Sequence, residues 1–300
     1  MELIEPKPKK HCRLPQNIPL PVILKKDGTL YKFKGIFNDF CVIVEDEQDM
    51  KNIISMGYFG KANLSRSYPQ FNQSKTEIIR ERQYKRRKDW AKKNSNKKSK
   101  KKVIVVPDSD EEKYYFINLQ PQYQIDESNV KETVWLSLEE SFFLSSIVKC
   151  LHVYYEGKSL RIDEMWTMFS ATDPHFIQNY IVYYHFKAKN WVVKPGIKFG
   201  GDFLLYKQGP PFYHASYVVV IDIVNENLER IEHFSRRSMD NVPLLSLNRL
   251  CETAGKELLI CQVIWPQNVH IDYKNIADVI IKENVMRRWI SSQERIAEDT

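Results

Sequence analysis

Apolar and polar positions follow different periods along the chain, and these periods predict short elements within its first sixty residues. Residues 30–46 have a composition typical of strands and end in an acidic turn. In residues 49–60, the spacing of Met50, Ile53 and Ile54 is helical, and the pattern stops at glycines. We therefore expect small structured elements at this end of the chain.

The segment 132–155 predicts a capped helix. Ser137, followed three residues later by Glu140, is the signature of a capping box, which satisfies free N–H groups at a helix start. The apolar residues that follow keep a helical period as far as Leu151. Because many of them are aromatic, we interpret this face as core or as a subunit interface rather than as a ligand site.

Helices and strands alternate through the rest of the chain. Residues 162–190 predict one short and one longer helix, with Asp173-Pro174 at the start of the second. Residues 191–266 predict three strands, a helix that ends at Gly255 and a buried strand, and residues 276–299 a final amphipathic helix. This order predicts an α/β (α+β) fold, with an N-terminal mixed α/β region and a C-terminal α/β domain around a central mixed sheet.

A strongly basic segment interrupts these patterns. Residues 80–102 contain thirteen Lys or Arg against Glu81 and Asp89, which gives the segment a local net charge of +11. Because the whole chain carries +7, the remaining residues together carry −4. Like charges repel, and the segment cannot bury enough apolar area to offset its ordering entropy. We expect a disordered insert that serves as a solvated tether, a nuclear-import signal or a contact for RNA phosphates.

Residues 103–112, VIVVPDSDEE, join four apolar residues to an acidic tail. One interpretation is a minor strand or linker. The other is a strand that adds to the edge of a partner's sheet, as in motifs that bind small ubiquitin-like modifiers. Ser109, which precedes three acidic residues, is a candidate phosphorylation site.

Cysteine usage and hydropathy predict a soluble intracellular protein. The five cysteines have no metal-ligand spacing and are odd in number, which indicates free thiols in a reducing compartment. We find neither a secretory signal nor an apolar run long enough to span a bilayer. A metal-dependent nuclease would want clustered carboxylates at a strand end, whereas Asp202 and Asp222 are isolated. We therefore predict no metal and no other cofactor.

Three residues with complementary chemistry follow one another at predicted strand ends. Tyr206 ends one strand, His214 begins the next after the turn KQGPPFY, and Lys256 precedes the strand that follows Gly255. Loops at strand ends are where α/β domains usually present catalytic groups. A single His or Lys is more often structural. Together, however, a phenol, an imidazole and an ammonium can supply an acid, a base and a cation for phosphate chemistry.

The stretch that carries two of these residues, NYIVYYHFKAKNWVVKPGIKFGGDFLLYKQGPPFYHASYVVVI, resembles the catalytic domain of the tRNA-splicing endonucleases. The resemblance is closest to the eukaryotic catalytic subunits that cut the 5′ splice site. It extends through MGYFGKANLSRSYP, VWLSLEESFFLSSIVKCL, ETAGKELLICQVI and MRRWISSQER, which covers nearly all of the predicted ordered chain.

The resemblance and the patterns together divide the chain into four parts. They are an N-terminal region with small strands and a helix (1–71), a basic, largely disordered insert and linker (72–131), a helical remainder of the N-terminal domain with a partner interface (132–175) and a catalytic tRNA intron endonuclease domain (176–300).

The resemblance implies RNA cleavage by attack of a 2′-hydroxyl, which leaves a 2′,3′-cyclic phosphate and a 5′-hydroxyl without a metal. It places the family's catalytic Tyr, His and Lys at Tyr206, His214 and Lys256. We favour His214 as base and Tyr206 as acid, with the reverse assignment open, and Lys256 as the cation on the nonbridging oxygens. Arg249 and Trp289 match the pair that sandwiches a base at the splice site handled by the other catalytic subunit. Their alternatives are a surface salt bridge and a core or interface tryptophan.

The resemblance also implies partners. They are pre-tRNA, a second catalytic subunit, two structural subunits and, as a further candidate, an RNA kinase. Lys194, Lys198 and Lys207 are either phosphate contacts or members of solvated strand faces. The basic run favours the nucleus over the cytoplasmic face of an organelle, and we expect no membrane insertion. The alternative function is a noncatalytic RNA-binding scaffold in the same kind of complex.

Overall fold

The structure is a computed structural model that describes residue 8 and residues 27–63, 132–266 and 271–287. The predictions for the basic insert, the motif 103–112 and Trp289 therefore lie outside the described residues. None of the helices in the described ranges is long and apolar enough to cross a membrane.

The N-terminal part is built on a six-stranded mixed sheet. Its elements are β1 (Phe33–Phe37), β2 (Val42–Val44), α1 (Glu47–Ser55), β3 (Lys61–Ala62), β4 (Val134–Leu136), α2 (Leu138–Ser146), β5 (Leu151–Tyr155), β6 (Lys158–Ser159) and α3 (Ile162–Thr172). The strand order is β3-β4-β2-β1-β5-β6. Strand β1 runs parallel to β5, and the other neighbours are antiparallel. The segment 132–175 thus contributes strands as well as two helices.

The chain leaves and re-enters this sheet at adjacent points. The backbone N–H of Asn63 donates to the Thr133 carbonyl over 3.0 Å. In return, the Thr133 N–H donates to Oδ1 of Asn63 over 3.1 Å. Together with the pairing of β3 and β4, these bonds join the two ends of the segment that separates them.

The C-terminal part contains a second mixed sheet of five strands. Its elements are α4 (Phe176–Ala188), β7 (Val192–Pro195), β8 (Phe203–Tyr206), β9 (Tyr217–Val224), α5 (Asn241–Thr253), β10 (Glu257–Ile264) and β11 (Ile281–Met286). The order is β11-β10-β9-β8-β7, in which only the β9 and β10 pair is parallel. The predicted α/β class with a central mixed sheet is confirmed.

The capping box of α2 is confirmed, but its helix is shorter than predicted. Oγ of Ser137 accepts from the Glu140 N–H over 3.2 Å, and a Glu140 carboxylate oxygen accepts from the Ser137 N–H over 3.1 Å. The helix ends at Ser146 because Lys149 adopts a left-handed conformation with φ of 59°. Leu151, which continued the predicted helical period, begins strand β5 instead.

Among the aromatic residues of segment 132–155, Phe142 lies in the core, Phe143, Tyr154 and Tyr155 are half-buried, and Trp135 is exposed. Phe142 is fully buried, and aromatic rings surround it at centroid distances of 4.9 to 6.4 Å. Those rings belong to Trp166, Phe169, Phe176, Tyr180 and Tyr273. Trp135 and Ile147 remain about half exposed, which leaves an apolar surface for the partner interface that the sequence predicts.

The prediction of a final amphipathic helix over 276–299 is wrong for the part that the structure describes. Residues 281–286 form strand β11, which pairs antiparallel with β10 from Leu258 opposite Met286 to Val263 opposite Ile281. The backbone N–H and C=O groups at the exposed edge of β10 find partners in this strand. The sheet edge therefore overrides the local helical spacing.

Glu283 of β11 connects the edge strand to α4. Its Oε1 lies 2.6 Å from Nε2 of His185 and 2.5 Å from Nζ of Lys189. The hydrogen bond from His185, reinforced by Lys189, lowers the pKa of the Glu283 carboxyl to about 2. A lowered carboxyl pKa stabilises the folded state above the ordinary carboxyl range, and the stabilisation disappears as the pH falls towards 2.

We therefore expect the Glu283→Gln variant to lower the free energy of unfolding by about 2 kcal/mol at pH 7 and by much less at pH 3. Urea denaturation at the two pH values measures the difference. Glu226→Gln serves as the control, because Glu226 is exposed and forms no ion pair with any residue in the described ranges. Equal losses at both pH values for Glu283→Gln would contradict the prediction.

Candidate active site

Three neighbouring strands end at the same rim of the C-terminal sheet. Leu204 of β8 pairs with Val218 of β9, which pairs with Leu258 of β10, and all three belong to one buried cluster. They therefore share a face of the sheet, which Cys251 of α5 helps to cover. Successive side chains of a strand point to opposite faces of the sheet. The residues two positions further along each strand therefore project from the same face as this row.

Tyr206 and Lys256 occupy the next position along that face. The N–H of Ser216 donates to the Leu205 carbonyl, and the N–H of Glu257 donates to the Ser216 carbonyl, both over 2.9 Å. These bonds continue the ladders and place Tyr206, Ser216 and Lys256 in one row. Because one strand separates the outer two, their backbones lie roughly 10 Å apart, within the reach of two long side chains on a single phosphodiester.

Tyr206 is a half-buried phenol at the end of β8. Its ring packs against the cluster that contains Leu204 and Val218. This burial raises the pKa of the Tyr206 hydroxyl above its ordinary value. The hydroxyl therefore stays protonated at neutral pH, which suits a group that gives a proton to a leaving oxygen.

Lys256 follows the turn that ends α5. Gly255 adopts a left-handed conformation with φ of 65°, and the N–H of Lys256 donates to the Cys251 carbonyl over 2.9 Å. The Lys256 ammonium donates to the Ala254 carbonyl over 2.9 Å and lies 4.3 Å from the centroid of the Phe199 ring. Burial lowers its pKa, which the nearby Cys251 partly opposes. It forms no ion pair with a carboxylate in the described ranges, so its charge is free for a bound anion.

His214 is exposed at the start of the chain segment that enters β9. The loop 207–213 precedes it, and within this loop the carbonyl of Gly209 accepts from the N–H groups of Phe212 and Tyr213 over 3.2 and 3.1 Å. Two residues after His214, the bond from Ser216 to Leu205 anchors the chain to β8. The structure thus brings His214 to the same rim as Tyr206 and Lys256, with its imidazole accessible to a substrate.

The predicted RNA contacts have different outcomes. Arg249 is exposed on α5 and forms no ion pair with any residue that the structure describes, so the surface salt bridge is not seen there. Lys198 is exposed, and the Lys207 ammonium lies 5.8 Å from the centroid of the Tyr213 ring. Trp289 lies outside the described residues.

Lys194 is not part of a solvated strand face, because its side chain is mostly buried in an ion pair. Its ammonium donates to Oε1 of Glu140 over 3.0 Å and to the Gly60 carbonyl over 2.8 Å. The side chains of Lys194 and Glu140 are only 15% and 4% exposed. The buried ion pair joins β7 to the N-terminal part, and pattern reasoning missed it because Glu140 is distant in sequence.

Two carboxylates that are isolated in the sequence each have an arginine partner in the structure. Asp202 pairs with Arg237 over 2.5 Å and also accepts from the Ile221 N–H over 2.8 Å. Asp222 pairs with Arg230 over 3.3 Å. Both carboxylates therefore help to hold the connection between β9 and α5 against the sheet.

Ser216 is a site residue that the sequence patterns did not single out. It lies between Tyr206 and Lys256 in the row, and its buried hydroxyl has no hydrogen-bond partner among the described residues. Counting in steps of two along β9 from Val218 would have placed it on the catalytic face.

Comparison with known proteins assigns this part of the chain to a family. Residues 176–273 match the family described as tRNA intron endonuclease, catalytic C-terminal domain. The chain is 40% identical over 172 residues to the tRNA-splicing endonuclease subunit Sen2 of Rattus norvegicus, and 41% identical over 172 residues to that of Gallus gallus. Each match covers 56% of this chain.

The chain covers only 36% of the rat relative and 37% of the chicken relative. A longer match reaches the probable tRNA-splicing endonuclease subunit sen2 of Schizosaccharomyces pombe, with 24% identity over 331 residues, 86% of this chain and 85% of the relative. The three strand ends that carry Tyr206, His214 and Lys256 all fall within the matched residues 176–273. This chain therefore carries a tRNA intron endonuclease catalytic domain and is similar over that domain to the Sen2 subunits of tRNA-splicing endonucleases.

Proposed function

We propose that this chain is the catalytic subunit that cuts pre-tRNA at the 5′ splice site. The observation that carries the proposal is the position of Tyr206, His214 and Lys256 at one end of three adjacent strands, within a tRNA intron endonuclease domain. The reaction is a transesterification in which the 2′-oxygen at the splice site attacks the adjacent phosphorus. The bond from phosphorus to the 5′-oxygen breaks and leaves a 2′,3′-cyclic phosphate and a 5′-hydroxyl.

Each of the three side chains has one task in this reaction. His214, the exposed imidazole, takes the proton from the 2′-hydroxyl. Tyr206 gives its proton to the departing 5′-oxygen, and its raised pKa keeps that proton in place until the bond breaks. Lys256 holds the nonbridging oxygens, whose negative charge grows in the transition state. No carboxylate in the described ranges forms an ion pair with the Lys256 ammonium, which supports this role.

We assign Arg249 and Trp289 to the RNA at the splice site that the second catalytic subunit handles. Arg249 is exposed on α5, the helix that leads to Lys256. A guanidinium plane and an indole on opposite faces of a base each stack on it, and stacking contributes about 1–3 kcal/mol per base. The absence of a carboxylate partner for Arg249 in the described ranges supports its availability for RNA.

The proposed partners are a second catalytic subunit and two structural subunits, with an RNA kinase as a further candidate. The matched relatives are named as subunits, and the half-exposed Trp135 and Ile147 offer an apolar surface beside α2. We also propose a nuclear location on the basis of the basic run at 80–102, with the cytoplasmic face of an organelle as the alternative.

Reconstitution of the full chain with the three partner subunits tests the proposal. On an intron-containing pre-tRNA, we expect a cut at the 5′ splice site that leaves a 2′,3′-cyclic phosphate and a 5′-hydroxyl, at the same rate with and without EDTA. Analysis of the RNA termini identifies both ends. Ends with a 5′-phosphate, or a rate that falls to background in EDTA, would overturn the mechanism.

A further inference from the structure

We propose that Tyr58, in the N-terminal part of the chain, is a positioning residue for His214. Its ring supports the loop 207–213, which leads directly into His214. The inference rests on the proposed function in so far as His214 takes part in cleavage. The contact itself lies within this chain, so it can be tested independently of cleavage.

Tyr58 is held rigidly in the turn after α1. Its backbone is left-handed, with φ of 60°, and its N–H donates to the Ile54 carbonyl over 2.8 Å. The residue is only 8% exposed. A non-glycine residue in this conformation persists where surrounding contacts fix it, and such positions cluster at functional sites.

The ring of Tyr58 lies directly against Gly209 of the loop. A Cβ atom at Gly209 would lie 2.4 Å from both Cδ2 and Cε2 of Tyr58. The φ of Gly209 is +120°, which side-chain-bearing residues rarely adopt. Phe212 meets the same ring edge to face, at a centroid distance of 6.2 Å. Tyr58 therefore contacts the loop at two residues and leaves no room for a side chain at the first.

Gly209 is also the residue that organises the loop. Its carbonyl accepts from the N–H groups of both Phe212 and Tyr213. His214 directly follows Tyr213, so the position of Gly209 influences the position of the His214 backbone. The other anchor of His214 is the bond from Ser216 to Leu205 on the opposite side. Tyr213 also forms an isolated antiparallel bridge with Pro8, which holds the far end of the loop. Removal of the Tyr58 ring would take away the contact at Gly209 and Phe212.

Phe59, the next residue, provides a matched control. It is 5% exposed, and its ring stacks on Phe143 at a centroid distance of 6.3 Å, with the Lys187 ammonium 4.5 Å from its centroid. These contacts lie on α2 and α4 rather than on the loop. Truncation of Phe59 thus removes an equally buried ring from the same turn without a direct effect on Gly209.

Single-turnover cleavage by the reconstituted complex measures the effect on His214. We expect Tyr58→Ala to lower the cleavage rate constant about 10- to 100-fold at saturating enzyme, because a displacement of about 1 Å at a catalytic group has effects of this size. The KM for pre-tRNA should stay near its wild-type value. Tyr58→Phe, which keeps the ring, should restore the wild-type rate, and Phe59→Ala should lower thermal stability without this loss of rate.

Hydrogen exchange on the full chain without RNA tests the contact independently of cleavage. The amides of Phe212 and Tyr213 should exchange faster in Tyr58→Ala than in wild type or Phe59→Ala. Tyr58→Leu, which keeps apolar volume but not the flat ring, should behave like Tyr58→Ala and replaces it where the latter fails to fold.

Three results would overturn the inference. They are unchanged exchange at the two amides, a wild-type cleavage rate for Tyr58→Ala in a complex in which His214→Ala is slow, and an equal loss of rate in Phe59→Ala. An inactive wild-type complex, or a fully active His214→Ala complex, would instead refute the proposed function and with it the effect on cleavage. The exchange comparison would still decide whether Tyr58 holds the loop.

Discussion

The His214→Ala variant should cut the 5′ splice site about 10²–10⁴-fold more slowly than the wild-type chain in the same complex, because loss of a positioned proton-transfer group has an effect of this size. His214 is exposed, so its removal creates no cavity, and the fold should be unaffected. Single-turnover cleavage of an intron-containing pre-tRNA measures the loss. The cut at the other splice site, which the proposed second catalytic subunit would make, serves as an internal reference.

His152→Ala is the control for this experiment. His152 is likewise an exposed histidine, but it lies on β5 in the N-terminal sheet. Its replacement should leave both cuts at the wild-type rate. A His214→Ala complex that cuts the 5′ site as fast as wild type would identify the chain as a noncatalytic RNA-binding scaffold.

The second large effect concerns stability rather than catalysis. We expect Lys194→Met to lower the free energy of unfolding by about 3–5 kcal/mol, the usual result when one partner of a buried ion pair is removed. The reason lies in Glu140, which is 4% exposed and would lose the ammonium that is hydrogen-bonded to its carboxylate. The Gly60 carbonyl would lose its donor at the same time. Chemical denaturation of the full chain measures the loss.

Lys198→Met is the matched control, because Lys198 is exposed on the connection between β7 and β8. Its replacement should change the free energy of unfolding by less than about 0.5 kcal/mol. The double variant Lys194→Met with Glu140→Gln should recover part of the loss, because the buried carboxylate is gone. A Lys194→Met protein that is as stable as wild type but binds pre-tRNA weakly would show that the lysine contacts phosphate.

Local signals in the sequence predict the elements whose determinants are local. The capping box of Ser137 and Glu140 involves residues three apart, and the structure confirms it. The run YVVVIDIV has β-branched residues at most positions and forms strand β9, buried along nearly its whole length. Residues that determine these elements are neighbours in sequence, so a pattern is sufficient.

Elements that depend on distant partners are where sequence reasoning fails. The stretch IKENVM forms an edge strand because β10 offers unpaired backbone groups, which no local spacing reveals. The parallel pairing of β1 with β5 joins Phe33 to Leu151 across more than a hundred residues. Leu151, which continues the helical period of α2, likewise lies in a strand whose partner β1 is distant in sequence.

The candidate site divides in the same way. Tyr206 and His214 are eight residues apart around one turn, so their proximity can be read from the sequence. The place of Lys256 beside them depends on the parallel register of β9 and β10, which is known only from the structure. The contact of Tyr58 with Gly209 spans about 150 residues and two parts of the fold, and no sequence pattern indicates it. The roles of these residues remain predictions.

The hydrogen bonds between Asn63 and Thr133 extend the pairing of β3 with β4 by one further residue pair. Side chains along a strand alternate between the two faces of the sheet, so the register of this short ladder decides which residues are buried. A single residue inserted within β3 or β4 would turn Ala62 or Val134, both buried here, towards the opposite face.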